Sequence, residues 1–266
     1  MPEGDAVRLT GDRLDRALAG RTLTRTDFRW PSLATVDLAG ATVHRTATHG
    51  KHLLTRLEHE GAALTLHTHL KMEGRWRVVD AGRRWPAPAH DVRVVLATAQ
   101  KEAVGFRLGL VELLPTADEQ QVVGHLGPDL LGATWDGAEA AQRLTADPDR
   151  VLGEALLDQT VVAGMGTIYV AEACFAHGVS PLAPVGTVRD PERLLTRGRQ
   201  MLQTGVRNSR PVTTGDRRDP LWIYGRHRQP CRRCGTIVLA GPVGPPGKER
   251  TTYWCPRCQP LPESAL

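Results

Sequence analysis

The residues best suited to chemistry stand near the two ends of the chain. Once Met1 is removed, Pro2 presents a secondary amine. Such an amine attacks a sugar C1′ to give a cationic iminium, which acidifies the C2′ proton and drives elimination of the 3′ phosphate. An α-amino group with a pKa near ~8 is unprotonated more often than a lysine near ~10.4. Glu3, next in sequence, is suited to proton exchange with the sugar ring oxygen or the departing base. Taken alone, a Met-Pro start and a surface carboxylate are commonplace, so the pair needs context from the rest of the chain. At the other end, Cys231-Arg-Arg-Cys234 and Cys255-Pro-Arg-Cys258 are separated by 20 residues. That spacing reads as one structural, tetrahedral zinc site of four thiolates, closed by a hairpin between the two knuckles. Two redox CxxC motifs are the competing reading, which the spacing disfavours. Cys174 lies in the apolar stretch Ile168–Phe175 and reads as a buried small side chain.

Between these ends lie weaker signals. Gly50-Lys51 marks a turn into a strand, where a lysine meets a phosphate or assists proton transfer, although such a lysine is usually solvated. His67 and His69 stand at i, i+2 without a third residue spaced as a metal ligand. Met72 falls on an apparent turn, where an exposed apolar side chain either wedges into a base stack or simply packs. Gly164 and Gly166 precede a helix, and a tight turn there aims backbone N–H groups at a phosphate; a plain helix hairpin is the alternative.

The elements that must position these residues change character along the chain. A helix is expected over Asp5–Leu18, ended by Gly20. Short strands follow at Leu23–Phe28, Ala41–Ala47, His52–Leu57, Ala62–His67, Arg75–Val79, Val92–Ala97, Ala103–Arg107 and Leu110–Leu114, the texture of a sandwich or barrel. Beyond Pro115 the pattern is helical: Glu119–Leu126, Gly137–Thr145, Val151–Leu157, Ile168–His177 and Pro191–Asn208. The polar, turn-rich Ser209–Asp219 reads as a connector with freedom to move.

The 266 residues carry 34 Lys and Arg against 29 acids, a net charge of +5. Arg217, Arg218, Arg226, Arg228, Arg232, Arg233, Lys248, Arg250 and Arg257 crowd the last fifth, around the cysteines, which points to a nucleic-acid surface. No run reaches the ~18 apolar residues of a membrane span, and the first residues lack the apolar core of a secretory signal. A cytoplasmic protein without a membrane partner is expected, nucleoid-associated if bacterial.

Together, Pro2-Glu3-Gly4, Gly50-Lys51, His69-Leu-Lys-Met-Glu-Gly74, Leu156-Leu-Asp-Gln159, Gly164-Met-Gly-Thr-Ile-Tyr169, Ile223-Tyr-Gly-Arg226 and the paired CxxC resemble the formamidopyrimidine-DNA glycosylase / endonuclease VIII family, in family order over the whole chain. The resemblance implies an α+β multidomain fold: an N-terminal β-sandwich with an N-terminal helix (residues 1–116), a helix-two-turn-helix domain (117–220) and a C-terminal zinc finger (221–266). It implies Pro2 as Schiff-base nucleophile, Glu3 as acid/base and Lys51 as the lysine assisting β,δ-elimination. Met72 matches a void-filling position, Thr167 stands at the phosphate-contacting position and Arg250 at that of the finger arginine. Zn2+ would be structural, and the partner double-stranded DNA with oxidised bases or abasic sites, bound by a monomer.

Three departures stand out. Thr167 replaces the usual Asn, Ala6 replaces a second early acid, and the Arg/Phe wedge of the purine-directed branch is missing, with only Phe106 and Arg107 nearby in the wrong order. With Met-Pro-Glu-Gly at the start, the chain looks closer to the endonuclease VIII branch. A bifunctional glycosylase and abasic-site lyase for oxidised pyrimidines is therefore expected. The alternatives are an oxidised-purine (formamidopyrimidine) glycosylase, a non-catalytic damaged-DNA-binding protein on the same scaffold, and a zinc-ribbon protein of transcription or translation. The last leaves Pro2-Glu3 and the LLDQ motif unexplained.

Overall fold

The computed structural model describes residues 2–261; Met1, whose removal the amine reading requires, lies outside them. The chain divides into two compact units, one formed by Val7–His125 with Pro2, the other by Glu3–Ala6 with the chain from Leu126 onward. Helix α1 (Gly4–Leu18) therefore starts in the second unit and continues in the first.

The first unit is a β-sandwich. Its strands are β1 (Arg21–Thr22), β2 (Arg25–Phe28), β3 (Thr42–His49), β4 (His52–His59), β5 (Ala62–His69), β6 (Arg75–Asp80), β7 (Val92–Ala97), β8 (Lys101–Phe106) and β9 (Leu110–Pro115). They form two antiparallel sheets, ordered β1-β3-β4-β5-β9 and β2-β7-β8-β6. The strand expected over Leu23–Phe28 begins only at Arg25, and Arg21–Thr22 before it joins the other sheet. Leu23 is buried where the chain changes sheets, its N–H donating to Ala41 while that of Thr24 donates to Ala97.

Side-chain alternation assigns each sheet face its task. On the five-stranded sheet, Leu53, Leu57, Leu66 and Val111 enter a core shared with Trp76, Val94, Leu96 and Ala103 of the other sheet and with Val7, Leu14 and Leu18 of α1. The intervening positions carry His52, Arg56, Thr65, His67, His69 and Glu112 on the opposite face. Helix α2 is shorter than expected, Glu119–Val123. Its Glu119 is drawn back onto the sheet, taking two hydrogen bonds from Arg56 at 2.7 and 2.6 Å and one from the Thr65 hydroxyl at 2.6 Å.

The second unit holds α3 (Gly137–Thr145), α4 (Leu152–Leu157), α5 (Thr167–His177), α6 (Pro191–Asn208) and the hairpin β10 (Leu239–Val243) and β11 (Arg250–Trp254). Asp136 and Asp190 cap α3 and α6 through their side chains, which accept from backbone N–H groups of the first turn. Helix α5 is apolar on nearly every side, and Tyr169 through Phe175 are all buried, the pattern of a central helix. Residues 209–219 close on themselves rather than trailing freely: Thr213 N–H donates to Pro220 at 2.7 Å, and the Thr214 hydroxyl donates to Asp219 at 2.6 Å. Cys174 is buried as expected, and burial pushes its thiol up to about 12.

Leu66 has no exposed surface between the sheets. Leu66→Ala is expected to cost about 3 kcal/mol, lost transfer energy plus a cavity. Urea unfolding should show a lower midpoint at unchanged slope.

Candidate active site

Glu3 meets the start of α5. Its carboxylate accepts from Gly166 N–H at 3.0 Å, Ile168 N–H at 2.8 Å and Tyr169 N–H at 3.4 Å. These are donors that a helix cannot satisfy internally, and its N-terminal dipole favours a negative charge there. The glycine turn, expected as a phosphate cradle, thus spends these N–H groups on the chain's own carboxylate. The glycines make this possible. A Cβ on Gly166 would sit 2.5 Å from the Glu3 carboxyl carbon, and Gly164 has a φ of 105° that side-chain-bearing residues avoid. Gln159 of the LLDQ motif shapes the turn, donating to the Leu157 and Met165 carbonyls and accepting from Gly164 N–H at 3.0 Å. Gly4 N–H donates to the Gly164 carbonyl at 2.8 Å, so the residue after Glu3 is held as well. Thr167 is the first residue of α5 and half-buried, and the structure brings it together with Glu3.

Two buried acids of this unit have no signal in a single sequence. Asp5 accepts from the Tyr169 hydroxyl at 2.7 Å. Burial raises the Asp5 carboxyl above its ordinary range despite that bond, and burial and Asp5 together push the Tyr169 phenol far up. Glu172 accepts from three consecutive N–H groups, Trp222 at 2.9 Å, Ile223 at 2.8 Å and Tyr224 at 2.9 Å, and from the Thr213 hydroxyl. It anchors the segment that leads into the cysteines. Phe175, one turn further along α5, packs with Ile223, Val238, Cys231 and Cys255, and Arg233 lies over its ring at 4.3 Å.

The four cysteines converge. All their sulfurs lie within 4.8 Å of one another. Cys234 and Cys255 stand at 3.4 Å, too far for a disulfide and near the ~3.8 Å edge of a tetrahedron with ~2.3 Å metal–sulfur bonds. The Thr236 hydroxyl and N–H bring the Cys234 thiol down to about 6, toward the thiolate that a metal requires. Those four residues fit a tetrahedral metal ion. Arg250 opens β11, opposite Val243 in the hairpin between the two knuckles.

In the β-sandwich, Lys51 occupies the β3–β4 turn with Gly50, whose φ is 56°. It is only 7% exposed, unlike the solvated lysine its position alone would suggest. Met72 follows β5 on a turn closed by Gly74 N–H donating to Leu70, and it is 56% exposed. Phe106 is fully buried, and Arg107 is tied to Asp91 at 2.7 Å and Glu73 at 3.1 Å, so neither is presented as a wedge. Beside Lys51 lies a histidine cluster. Burial, then neighbouring His69 and His67, takes His52 down to about 3; burial, then Lys71 and Lys51, takes His69 down to about 4. Burial lowers His67 too, against the opposing pull of Glu112.

An N-terminal carboxylate capping an internal helix, a glycine turn and a four-cysteine hairpin define a multidomain protein with a DNA-glycosylase-like architecture. The formamidopyrimidine-DNA glycosylase N-terminal domain matches residues 1–107, and the H2TH domain of the same enzymes matches residues 126–215. The chain is 52% identical to the probable endonuclease 8 2 of Streptomyces coelicolor, over 97% of this chain and 94% of that protein. It is 49% identical to the DNA-(apurinic or apyrimidinic site) lyase Nei2 of Mycolicibacterium smegmatis, over 97% and 99%. The Lactococcus lactis Fpg bound to abasic-site DNA has the same fold, with a TM-score of 0.81, 22% identity and coverage of 97% and 100%. The chain belongs to the formamidopyrimidine-DNA glycosylase / endonuclease VIII family.

The buried histidines give the first unit an acid limit. Folded pKa values below the ordinary 6.5 mean that the native state binds fewer protons than the unfolded chain once pH drops below 6.5. Stability is fully present above that value and is lost as pH falls toward about 4 and then 3. Thermal unfolding from pH 7.5 to 4.5 should show a falling midpoint, with a smaller fall for His52→Asn.

Proposed function

We propose that the chain is a bifunctional DNA glycosylase and abasic-site lyase of base excision repair, acting in the cytoplasm on double-stranded DNA. The observation that carries this reading is the docking of Glu3 on α5 directly after Pro2. A nucleophile on a loose terminus would pay a large entropic cost, whereas here the next two residues are held by backbone hydrogen bonds. With Met1 removed, the Pro2 amine attacks C1′ of the damaged nucleotide as the bond to the base breaks and the base leaves with its electron pair, taking up a proton; the added amine loses its N–H proton, and the C1′–O4′ bond then breaks, O4′ taking up a proton, to leave the iminium. Glu3 supplies a carboxylate for proton exchange at the sugar, and Lys51 assists the elimination. Extrusion of the nucleotide leaves a gap in the stack that exposed Met72 is suited to fill.

The substrate class follows from what the sandwich withholds. With Phe106 in the core and Arg107 paired with two acids, neither of these side chains is offered for a purine-directed wedge. Oxidised pyrimidines and abasic sites are therefore the substrates, taken by a monomer. Cys231, Cys234, Cys255 and Cys258 would hold Zn2+, which cross-links the knuckles when bound. Arg250 on that hairpin then clamps phosphates, as Thr167 does from α5. Their role is to position DNA.

Borohydride reduction with abasic or thymine-glycol DNA tests the chemistry. A covalent adduct is expected and should vanish in Pro2→Gly, while salt-dependent binding without adduct would make the protein a non-catalytic binder. Intact mass of the active preparation should lack Met1; full activity with Met1 retained would exclude Pro2 as nucleophile. Arg250→Ala is expected to weaken binding of a lesion duplex about tenfold, the weight of one charge-assisted hydrogen bond. Fluorescence anisotropy should also show a shallower salt dependence, with adduct formation at saturating DNA preserved.

A further inference from the structure

The polar face of the five-stranded sheet carries a line of side chains that the mechanism above leaves unused. Register places His49 opposite His52, His52 opposite His69, and His67 opposite Glu112. His52 Nδ1 and His67 Nε2 are 2.8 Å apart, and His67 Nδ1 lies 3.0 Å from Glu112 Oε2. The side chain of His67 is 2% exposed and that of Glu112 47%, so a buried imidazole joins a solvent-facing carboxylate to a second imidazole. That second imidazole belongs to His52, the residue after Lys51.

The hydrogen bonds fix the tautomers. An ionised carboxylate only accepts, so His67 carries its proton on Nδ1 and offers a lone pair at Nε2. His52 must then donate from Nδ1, which leaves the lone pair of its own Nε2 available. His69 is fixed the other way, because its Nδ1 accepts from Lys71 N–H at 2.9 Å. Burial first, then the surroundings, keep these rings neutral: His49, His69, His125, Lys51 and Lys71 bear on them as cations or potential cations, against Glu112 and the Arg56-bound Glu119. Neutrality matters because an imidazolium has no lone pair with which to accept a proton.

We propose that Glu112, His67 and His52 form a proton relay between bulk water and the Lys51 turn, serving the elimination; the proposal rests on the lyase reading. In the elimination the C2′–H bond breaks and its electron pair moves through C1′ to the iminium nitrogen. The pair returns to form the C2′–C3′ double bond as the C3′–O bond breaks and the phosphate leaves with its electrons. The Lys51 amine takes the C2′ proton and gives one up to His52 Nε2; the His52 Nδ1 proton moves to His67 Nε2; the His67 Nδ1 proton moves to Glu112 and on to water. One proton leaves and both rings remain neutral with their tautomers exchanged. The next turnover needs a proton at the departing base, and its delivery inward along the same line restores the starting tautomers. These three are positioning and relay residues, since none needs to touch the DNA.

Glu112→Gln tests the relay, because its amide oxygen still accepts from His67 but cannot carry the proton onward. The variant is expected to fold and to give the borohydride adduct with abasic DNA, yet to eliminate at least about tenfold more slowly in dilute buffer. Added imidazole should restore the rate in proportion to its concentration, and Glu112→Asp should retain it. His67→Gln should behave as Glu112→Gln does. Wild-type elimination rates in both variants, or a loss indifferent to imidazole, would overturn the relay while the adduct stands. Absence of the adduct from the wild-type protein would overturn the lyase reading, and the relay with it.

Discussion

A helix begins with backbone donors that its own carbonyls cannot reach, and in this protein those of α5 are met by the carboxylate of Glu3. This one contact ties the N-terminal residues to the middle of the sequence, 163 positions away for Gly166. It also explains why glycine recurs around it. Gly166 must lack a Cβ for the carboxylate to approach, and a Cβ on Gly4 would press on the Gly164 carbonyl at 3.0 Å. A terminal amine makes a poor nucleophile while its segment samples many conformations. For the nucleophile proposed at Pro2, anchoring the two residues that follow removes most of that freedom before substrate arrives.

The same helix carries the constraint onward. Tyr169, Glu172 and Phe175 recur every three residues, and each takes hold of a different segment: Asp5, the N–H groups of Trp222–Tyr224, and the cysteine hairpin. Glu172 is the more demanding contact, since a buried carboxylate without these donors would be strongly unfavourable. With them it fixes where the cysteine hairpin begins. The cysteine hairpin is thus held by a buried acid and an aromatic ring, and Arg250 lies on a hairpin with these two anchors.

Much of this was legible in the residues, for physical reasons that differ from element to element. The CxxC spacing is read directly, because the geometry of thiolate coordination leaves few ways to use it. Strand alternation located the sheets, and helical periodicity located the helices over Gly137–Thr145 and Pro191–Asn208. The break at Leu23 was not legible, since a change of sheet leaves no local signature when the residue at the crossing is as apolar as its neighbours. The glycine turn was read as a phosphate cradle or a plain helix hairpin, whereas its N–H groups meet Glu3, a pairing only long-range structure supplies. Lys51, Glu172 and His67 share that limit. Each is a polar residue whose burial depends on cross-strand or interhelical neighbours, and hydropathy assigns all of them to the surface.

The departure at Ala6 gains meaning from its neighbour. Asp5 places an acid one residue earlier than the family's second early acid, and it is tempting to treat the two as interchangeable. One residue along a helix turns a side chain by about 100°, however, and Asp5 points into the second unit's interior, onto the Tyr169 hydroxyl. Burial favours its neutral form, and in that environment it works as a hydrogen-bonding peg. What it supports is the placement of the first turn of α1 against α5, and so the register of Glu3 on the helix start. A carboxylate serving the substrate directly at Ala6 is accordingly not replaced by Asp5.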